Sequence, residues 1–337
     1  MKSCAICILG MHRSGTSLIS RSINILGAYI GEAVDLMAPS PDNPTAYWEH
    51  NDIVNLHDRM LDKLKQPWHT GAPLPEGWHL TDEIQPLRNE LIELIKKKFS
   101  DRQLWAWKDP RTSILIPIWK DILKEMSIKL LTIFVIRNPL DVAKSLKKRD
   151  GFSFDKSFGV WNNYNISALR AVLDLQHIFI HYDLFLNNWE TELRRCAAFL
   201  SIDWPGNDIQ IKEKMNEFIR LDFRHSRSGV EALKEANAPD FTIELYEFLR
   251  ERSEGASSSY GDLLAKISTF HTEFSSYGRL YKYDIDQLWK CKKQLLKTEL
   301  QLEEKEKRVQ SLTNTWSWKI TAPLRRLKWP IKKRRIY

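Results

Sequence analysis

A loop near the start of the chain constrains its fold more than any other sequence feature. The loop is Gly10-Met11-His12-Arg13-Ser14-Gly15-Thr16-Ser17. An apolar run at residues 4–9 precedes it, and residues 18–26 after it have helical spacing. The sequence therefore predicts a strand, a loop and a helix, which together form the first β-α unit of an α/β fold.

The residues of this loop predict an anion site that differs from an ATP site. Inward-pointing backbone N–H groups and the start of the next helix hold an oxyanion without a metal ion. Loops for nucleoside triphosphates have a lysine after the second glycine, whereas here Thr16 takes that position and Arg13 supplies the cation. A guanidinium group suits a terminal sulfonyl or phosphoryl oxygen. The predicted binding residues are Gly10, His12, Arg13, Ser14, Gly15, Thr16 and Ser17; a glycine turn with a chance arginine is the alternative.

Further apolar runs predict a parallel sheet with helices on its faces. Strands are expected at residues 130–136 and 177–182, and helices at residues 141–147 and 184–200. The repeated β-α order predicts an α/β fold, namely a P-loop-type three-layer sandwich with a central parallel sheet, followed by a C-terminal helical extension. Ligands of such sheets bind beyond the carboxyl ends of the strands, and Arg137 directly follows one of them.

Four segments taken together resemble one enzyme family. They are the loop Gly10 to Ser17, then Lys108-Asp109-Pro110-Arg111, then Val135-Ile136-Arg137-Asn138-Pro139 with Ser145, and Tyr182-Asp183-Leu184. Their order and spacing over residues 4–230 resemble the sulfotransferases that use 3′-phosphoadenosine 5′-phosphosulfate (PAPS). The sequence is similar to bacterial sulfotransferase-like proteins of surface-polysaccharide assembly, and its Lys-Asp-Pro run is similar to that of protein-tyrosine sulfotransferases.

The resemblance implies a role for each segment. The first loop would hold the 5′-phosphosulfate of PAPS, while Arg137 and Ser145 would bind the 3′-phosphate. Lys108 would assist the leaving group, with a surface charge at a strand end as the alternative, and Arg13 would stabilise the group in transfer. These residue types suit sulfuryl transfer, which resembles phosphoryl transfer in relying on positioning and electrostatics.

A general base is expected in the segment 43–52, where a turn leads into an amphipathic helix. Glu49 and His50 lie at the start of that helix, and related sulfotransferases use either glutamate or histidine. We favour Glu49, because a carboxylate buried against the neighbouring aromatic residues would have a raised pKa. The alternative is that Glu49 only complements the helix dipole. His57, two turns further on, is assigned a structural role.

No metal ion is expected at the site. A sulfonate carries one negative charge fewer than a terminal phosphate, so magnesium is less necessary, and no other metal-ligand pattern is evident. The four cysteines give no disulfide framework, and Cys4 and Cys7 are expected on opposite faces of a strand. A late basic segment at residues 224–229 either contacts the 3′-phosphate or is an exposed turn.

Composition divides the chain into three predicted parts. Residues 1–255 are expected to form the catalytic α/β domain, residues 256–315 a helical extension, and residues 316–337 a basic aromatic tail. Within the extension, one apolar residue recurs every seven positions while its heptad partners are charged, so a weak coiled-coil dimer and a long solvated helix remain equally open. The recurring residues are Leu288, Leu295, Leu302 and Val309.

The net charge of +8 lies in the tail, which contains no acid after residue 318. Its eight cations are Lys319, Arg325, Arg326, Lys328, Lys332, Lys333, Arg334 and Arg335. Tryptophans and aliphatic residues alternate with them, which favours an anionic membrane surface over nucleic acid. No run is long enough to span a bilayer, and no signal peptide is expected. We therefore predict a cytoplasmic protein, peripheral at the inner face of the cytoplasmic membrane.

The combined prediction is a PAPS-dependent sulfotransferase whose acceptor is a sugar hydroxyl of a surface polysaccharide or glycolipid. One alternative is a non-catalytic nucleotide-binding scaffold of a polysaccharide-assembly complex. Another is a phosphotransferase with a degenerate loop, which would need a triphosphate and magnesium. Thr16 in place of the loop lysine argues against the phosphotransferase.

Overall fold

A parallel sheet lies at the centre of the structure, which is a computed structural model. The model describes residues 3–40, 46–205, 208–219, 228–255, 260–316 and 320. Within these ranges the sheet has four strands in the order β2-β1-β3-β4, all parallel to their neighbours. The strands are β1 (Cys4–Leu9), β2 (Leu104–Lys108), β3 (Lys129–Ile136) and β4 (Gln176–His181).

Helices connect the strands and follow the last one. In chain order they are α1 (Thr16–Ile25), α2 (Asn51–Lys63), α3 (Gln85–Phe99), α4 (Thr112–Glu125), α5 (Pro139–Asp150), α6 (Phe154–Val172), α7 (Tyr182–Asn187), α8 (Trp189–Leu200), α9 (Asp208–Phe218), α10 (Val230–Glu235), α11 (Asp240–Ser253) and α12 (Tyr260–Thr313). Short 3-10 helices lie at Ala33–Asp35 and Trp78–Leu80.

Side chains of β1 alternate between two hydrophobic cores. Ala5, Cys7 and Leu9 belong to one core, with residues from α2 to α6 and from α10 to α12. Ile6 and Ile8 belong to the other, with residues from α1, α7, α8 and α9. A strand buried on both faces requires such a continuous apolar run. The predicted three-layer α/β sandwich with a central parallel sheet is thus confirmed.

One predicted helix is in fact two. Residues 184–200 were expected to form a single helix, but α7 ends at Asn187 and α8 begins at Trp189. Between them Asn188 has φ −139° and ψ 50°, which is outside the helical range. The polar Asn187-Asn188 pair is the only sequence signal, since neither proline nor glycine marks the break.

The compact body of the molecule is longer than the predicted catalytic domain. It comprises Met1–Lys282, and a second unit comprises Tyr283–Tyr337. Residue 255 was expected to end the body, yet Ile267, Phe270 and Phe274 at the start of α12 are buried in the first core. Phe270 lies 5.7 Å from Phe241 between ring centroids. The first turns of α12 therefore complete the core of the body.

In the second unit, α12 continues to Thr313. Leu295, Leu302 and Val309 are exposed there by 58–60%, and the weak dimer stays a prediction. Of the predicted tail only Trp316 and residue 320 are described, and residues 256–259 at the start of the predicted extension also lie outside the described residues. Among the described residues, no helix combines the length and apolar character needed to cross a bilayer.

Candidate active site

The loop Gly10 to Ser17 joins β1 to α1 at the carboxyl edge of the sheet. Gly10 donates its N–H to Ser113 Oγ at 2.9 Å, and Ser113 Oγ donates to the Gly10 carbonyl at 3.2 Å. Gly10 has φ +148°, and a Cβ there would lie 2.7 Å from the Val135 carbonyl oxygen. The close approach of two neighbouring strand ends therefore requires glycine at this position.

The second glycine of the loop is Gly15, the N-cap residue of α1. It has φ +87°, and a Cβ there would lie 2.1 Å from Cδ2 of Tyr182. No side chain caps the first turn of α1, and no acidic residue lies in it. A helix start without a side-chain cap or an acid is a place where backbone N–H groups can bind an oxyanion. This geometry fits the predicted anion site.

Arg13 lies within the loop in the left-handed region, with φ 67°. Its Nε donates to Ser145 Oγ at 2.8 Å, and its backbone carbonyl accepts from Nη1 of Arg137 at 2.8 Å. The Arg137 guanidinium also lies over the ring of Tyr182, 4.5 Å from the centroid. The structure therefore brings together Arg13, Arg137 and Ser145, which were all predicted from the sequence to bind the same ligand.

Glu49 and Lys108 form a buried ion pair beside the loop. Lys108 ends β2 and is the register partner of Ile8 in β1. Its Nζ lies 2.5 Å from Glu49 Oε1, and the two side chains are only 2% and 7% exposed. Burial raises the pKa of Glu49, although the charge of Lys108 acts in the opposite direction. The pair brings a candidate base and a candidate acid into direct contact.

Three residues fix the strand end that carries Lys108. Asp109 is fully buried and accepts hydrogen bonds from the N–H and Nη1 of Arg111 at 2.9 and 3.0 Å. Although burial raises the pKa of Asp109, Arg111 and His57 together hold it well below its usual range. His57 Nδ1 lies 2.8 Å from Asp109, and its Nε2 accepts from Trp119 Nε1 at 2.9 Å. Both ring nitrogens of His57 are engaged, in agreement with the structural role predicted for it.

His50 is turned toward a different set of side chains. It is the N-cap of α2, where its Nδ1 accepts from the Asp52 N–H at 3.3 Å. Its Nε2 lies 3.8 Å from Asp35 Oδ2. Ligand atoms of Asp35, His50 and Asp52 lie within 4.8 Å of one another, but Lys98 Nζ already contacts both Asp35 oxygens at 2.8 and 3.0 Å. Because a lysine neutralises Asp35 and the Nδ1 lone pair is engaged, this cluster does not fit a divalent cation.

Two aromatic side chains that were not predicted from the sequence lie beside His12. The His12 ring lies 4.5 Å from Trp68 and 5.6 Å from Tyr164 between centroids. Burial lowers the pKa of His12 well below its usual value, and the nearby charges of Arg111 and Arg149 act in the same direction. His12 is therefore a neutral member of the loop. The only signal for Trp68 was an aromatic residue within the turn-forming stretch 67–71.

Part of the late basic segment contacts the start of α5. Residues 224–227 lie outside the described residues, but Ser228 is anchored. Its N–H and Oγ–H donate to the Asp141 carboxylate at 3.1 and 2.6 Å, and its carbonyl accepts from Asn138 Nδ2 at 2.8 Å. We call the contact of Ser228 with Asp141 the latch. It fixes the end of the segment to the helix that presents Ser145.

Known protein families and solved structures include some that are similar to this chain. The model of the sulfotransferase family matches residues 5–206. No curated protein matches the sequence.

Solved structures with a similar chain path include three sulfotransferases. The sulfotransferase domain of the Synechococcus PCC 7002 olefin synthase is 14% identical, with a TM-score of 0.40 over 74% of this chain and 96% of that domain. The domain from the curacin biosynthetic pathway is 13% identical, with a TM-score of 0.36 over 79% and 98%. Mouse sulfotransferase SULT7A1, complexed with PAP, is 14% identical, with a TM-score of 0.36 over 85% and 90%.

Proposed function

Because the chain belongs to the sulfotransferase family, we propose that it moves a sulfuryl group from PAPS to a hydroxyl group of a sugar acceptor. One observation carries this proposal: the buried Glu49–Lys108 pair lies at the same sheet edge as the anion-binding loop. Lys108 is level with Ile8, two residues before the loop begins. A proton acceptor and a cation therefore stand next to the place where an oxyanion would bind.

The donor supplies a sulfuryl group on a phosphate leaving group, together with a 3′-phosphate that distinguishes it from ATP. The uncapped start of α1 offers backbone N–H groups to the 5′-phosphosulfate. Arg137 and Ser145, with Arg13 bonded to both, supply cations and a hydroxyl for the 3′-phosphate. Arg13 thus connects the loop proposed for the 5′-phosphosulfate with the two residues proposed for the 3′-phosphate.

Glu49 takes the proton of the acceptor hydroxyl while that oxygen attacks sulfur. The new bond joins the acceptor oxygen to sulfur, and the bond between sulfur and the phosphate oxygen breaks. Lys108 loses its anionic partner when Glu49 becomes protonated, so its charge is then available to the leaving phosphate oxygen. The raised pKa of Glu49 makes it a better base than an exposed glutamate.

Glu49 is the favoured base over His50 for a geometric reason. The Nδ1 lone pair of His50 accepts a backbone hydrogen bond, and its Nε2 faces Asp35. Neither nitrogen offers a lone pair toward Lys108 and the loop. Glu49 contacts Lys108 directly.

Binding of the product nucleotide tests this proposal. We would titrate the protein with 3′-phosphoadenosine 5′-phosphate (PAP), ADP and ATP by calorimetry, with and without magnesium. We expect PAP to bind most tightly and independently of magnesium, because the site relies on protein cations. Preference for ATP with magnesium would instead favour a phosphotransferase.

Turnover with PAPS then separates an enzyme from a scaffold. Arg13→Ala should abolish sulfuryl transfer, with Arg21→Ala in the following helix α1 as the control for loss of one arginine. PAP binding without any transfer to a panel of hydroxyl acceptors would favour the non-catalytic scaffold. Unchanged transfer by Arg13→Ala would remove Arg13 from the mechanism.

The acceptor class and the location are part of the same proposal. We place the enzyme at the inner face of the cytoplasmic membrane, acting on a sugar of a surface polysaccharide or glycolipid. The support is the basic aromatic tail at residues 316–337, which suits an anionic lipid surface. An acceptor carried on a lipid would be presented at that surface.

A further inference from the structure

A cluster of aromatic and basic side chains next to the site has no part in the steps described above. Trp68 stacks on Phe152 with 5.8 Å between centroids and 25° between planes, and His69 packs on Phe152 at 5.3 Å. Arg149 and Lys156 lie over these rings, 5.3 Å from the Trp68 centroid and 3.6 Å from the Phe152 centroid. We call these five residues the aromatic shelf. Its three rings are partly exposed.

Buried hydrogen bonds hold the shelf in place. Tyr164 donates its hydroxyl to the Trp68 carbonyl at 2.7 Å. Asn163, fully buried in α6, donates to the carbonyls of Thr70 at 3.0 Å and Ala72 at 2.9 Å. Fixing three carbonyls of one short loop gives Trp68 a defined orientation before any ligand arrives. Such preorganisation reduces the cost of ordering on binding.

The shelf borders the proposed site of transfer. Trp68 contacts the ring of His12, which belongs to the anion-binding loop. The Nε2 atom of His12 is buried and makes no hydrogen bond within the described part of the chain. Arg149 lies four residues after Ser145 in α5, so the two share one face of that helix. A ligand on the shelf would therefore lie next to the donor.

The shelf carries a net positive charge. Arg149 and Lys156 are its cations, and within the described residues the acid that pairs with them is Asp150, 2.8 Å from Arg149 Nε. One cation thus remains uncompensated. The three rings are partly exposed and the two cations lie over Trp68 and Phe152, so apolar ring surface and positive charge are adjacent on the shelf.

We propose that the aromatic shelf is the acceptor subsite and that its occupant is an anionic sugar residue. This rests on the proposed function. The apolar face of the sugar ring packs against the exposed part of the shelf rings, its carboxylate or other anionic substituent pairs with Arg149 and Lys156, and its reactive hydroxyl is directed past His12 toward Glu49. The shelf therefore selects an acidic glycan over a neutral one.

The test uses two glycans that share N-acetylglucosamine but differ in charge. PAP-loaded full-length protein is titrated by calorimetry with hyaluronan tetrasaccharide, which contains glucuronate, and with neutral chitotetraose. We expect hyaluronan tetrasaccharide to bind at least about tenfold more tightly, and added salt to reduce the difference. Equal affinity for the two glycans, or no binding of either, would overturn the proposal.

Substitutions test whether the aromatic shelf causes the preference for the anionic glycan. Arg149→Gln with Lys156→Gln should reduce the affinity for hyaluronan tetrasaccharide by about tenfold and leave that for chitotetraose unchanged. Lys97→Gln with Lys124→Gln removes two exposed charges from α3 and α4 and should change neither affinity. Trp68→Leu should weaken the binding of both glycans. A preference that survives the loss of Arg149 and Lys156 would contradict the proposal.

Nucleotide binding keeps the two proposals distinguishable. PAP affinity should stay within about twofold in the Arg149 and Lys156 variant, and a parallel loss of PAP affinity would assign these cations to the donor instead. If wild-type protein binds no PAP, the proposed function fails. Titration of the free protein with the two glycans would then still decide whether the shelf prefers an anionic sugar.

Discussion

The proposed chemistry depends on an ion pair that is almost fully buried. Glu49 and Lys108 are each more than nine-tenths buried, so each charge needs the other to offset its loss of hydration. Burial raises the pKa of Glu49 and the charge of Lys108 lowers it, with burial the larger effect. Replacing one partner therefore changes the protonation of the other as well as removing a side chain.

Glu49→Gln should lower kcat by about 10²–10⁴ and abolish the acidic limb of the pH profile. The base must be ionised, so activity is lost as the pH falls through the pKa of Glu49, which lies above its usual 4.5. His50→Asn is the matched control, because asparagine is also a good N-cap and should preserve α2. The pH dependence of kcat/KM for both variants decides the base, and loss of the limb in His50→Asn alone would assign it to His50.

Lys108→Met should shift the acidic limb to higher pH. The charge of Lys108 is the largest effect that lowers the pKa of Glu49. Without it, burial raises that pKa further. Residual activity measured across the acidic range checks the direction. An unchanged limb would show that Lys108 and the base do not interact in the working enzyme.

Gly15→Ala should lower PAP affinity by at least about tenfold, because its Cβ would overlap the ring of Tyr182 beside Arg137. Gly27→Ala provides a control with similar backbone strain, since Gly27 has φ +106° but nothing within 4 Å of an added Cβ. It should cost stability by roughly 1–2 kcal/mol and leave PAP binding unchanged. Thermal unfolding and PAP calorimetry on both variants separate strain from overlap, and equal PAP affinities would remove the overlap as a cause.

At the scale of elements, α5 links the donor residues to the end of the late basic segment. Asp141→Asn removes one acceptor of the latch, since the N–H and Oγ–H of Ser228 donate to different carboxylate oxygens and one of these becomes an NH2 group in asparagine. If the predicted segment 224–229 contacts the 3′-phosphate, PAP affinity should fall by about threefold to tenfold.

Asp155→Asn is the control for the latch variant, because Asp155 likewise lies in the first turn of a helix, α6, but is exposed. It tests the loss of helix-dipole stabilisation alone. Equal PAP affinities in both variants would indicate that the segment is an exposed turn, the alternative left open by the sequence.

Local patterns in the sequence predicted the strands β1, β3 and β4, but not every helix and not the contacts between elements. The apolar runs at β1 and β3 predicted buried strands because parallel strands are apolar on both faces. Asn188 breaks a helix that periodicity extended, since a backbone turn without proline or glycine leaves little signal. Glu49 and Lys108 are 59 positions apart, and their contact arises from tertiary packing that no local pattern encodes. Trp68 was missed for the same reason.

At the scale of the whole molecule, the proposed catalytic residues and the basic tail belong to different units. Glu49, Lys108, Arg137 and the shelf all lie within Met1–Lys282, whose two cores lie on either side of one sheet. The tail cations lie within Tyr283–Tyr337. Because the first unit has its own cores, its chemistry should not depend on the tail.

Deletion of residues 316–337 tests this separation. Full-length protein should sediment with phosphatidylserine-containing vesicles, because each tail lysine or arginine contributes about 1 kcal/mol near an anionic surface. The truncated protein should stay in the supernatant, yet bind PAP and turn over a soluble acceptor as the full chain does. Added salt should release the full-length protein, since screening weakens attraction between exposed charges and lipid headgroups. Undiminished sedimentation of the truncated protein would refute the surface role of the tail, whereas loss of PAP binding would show that the two units depend on each other.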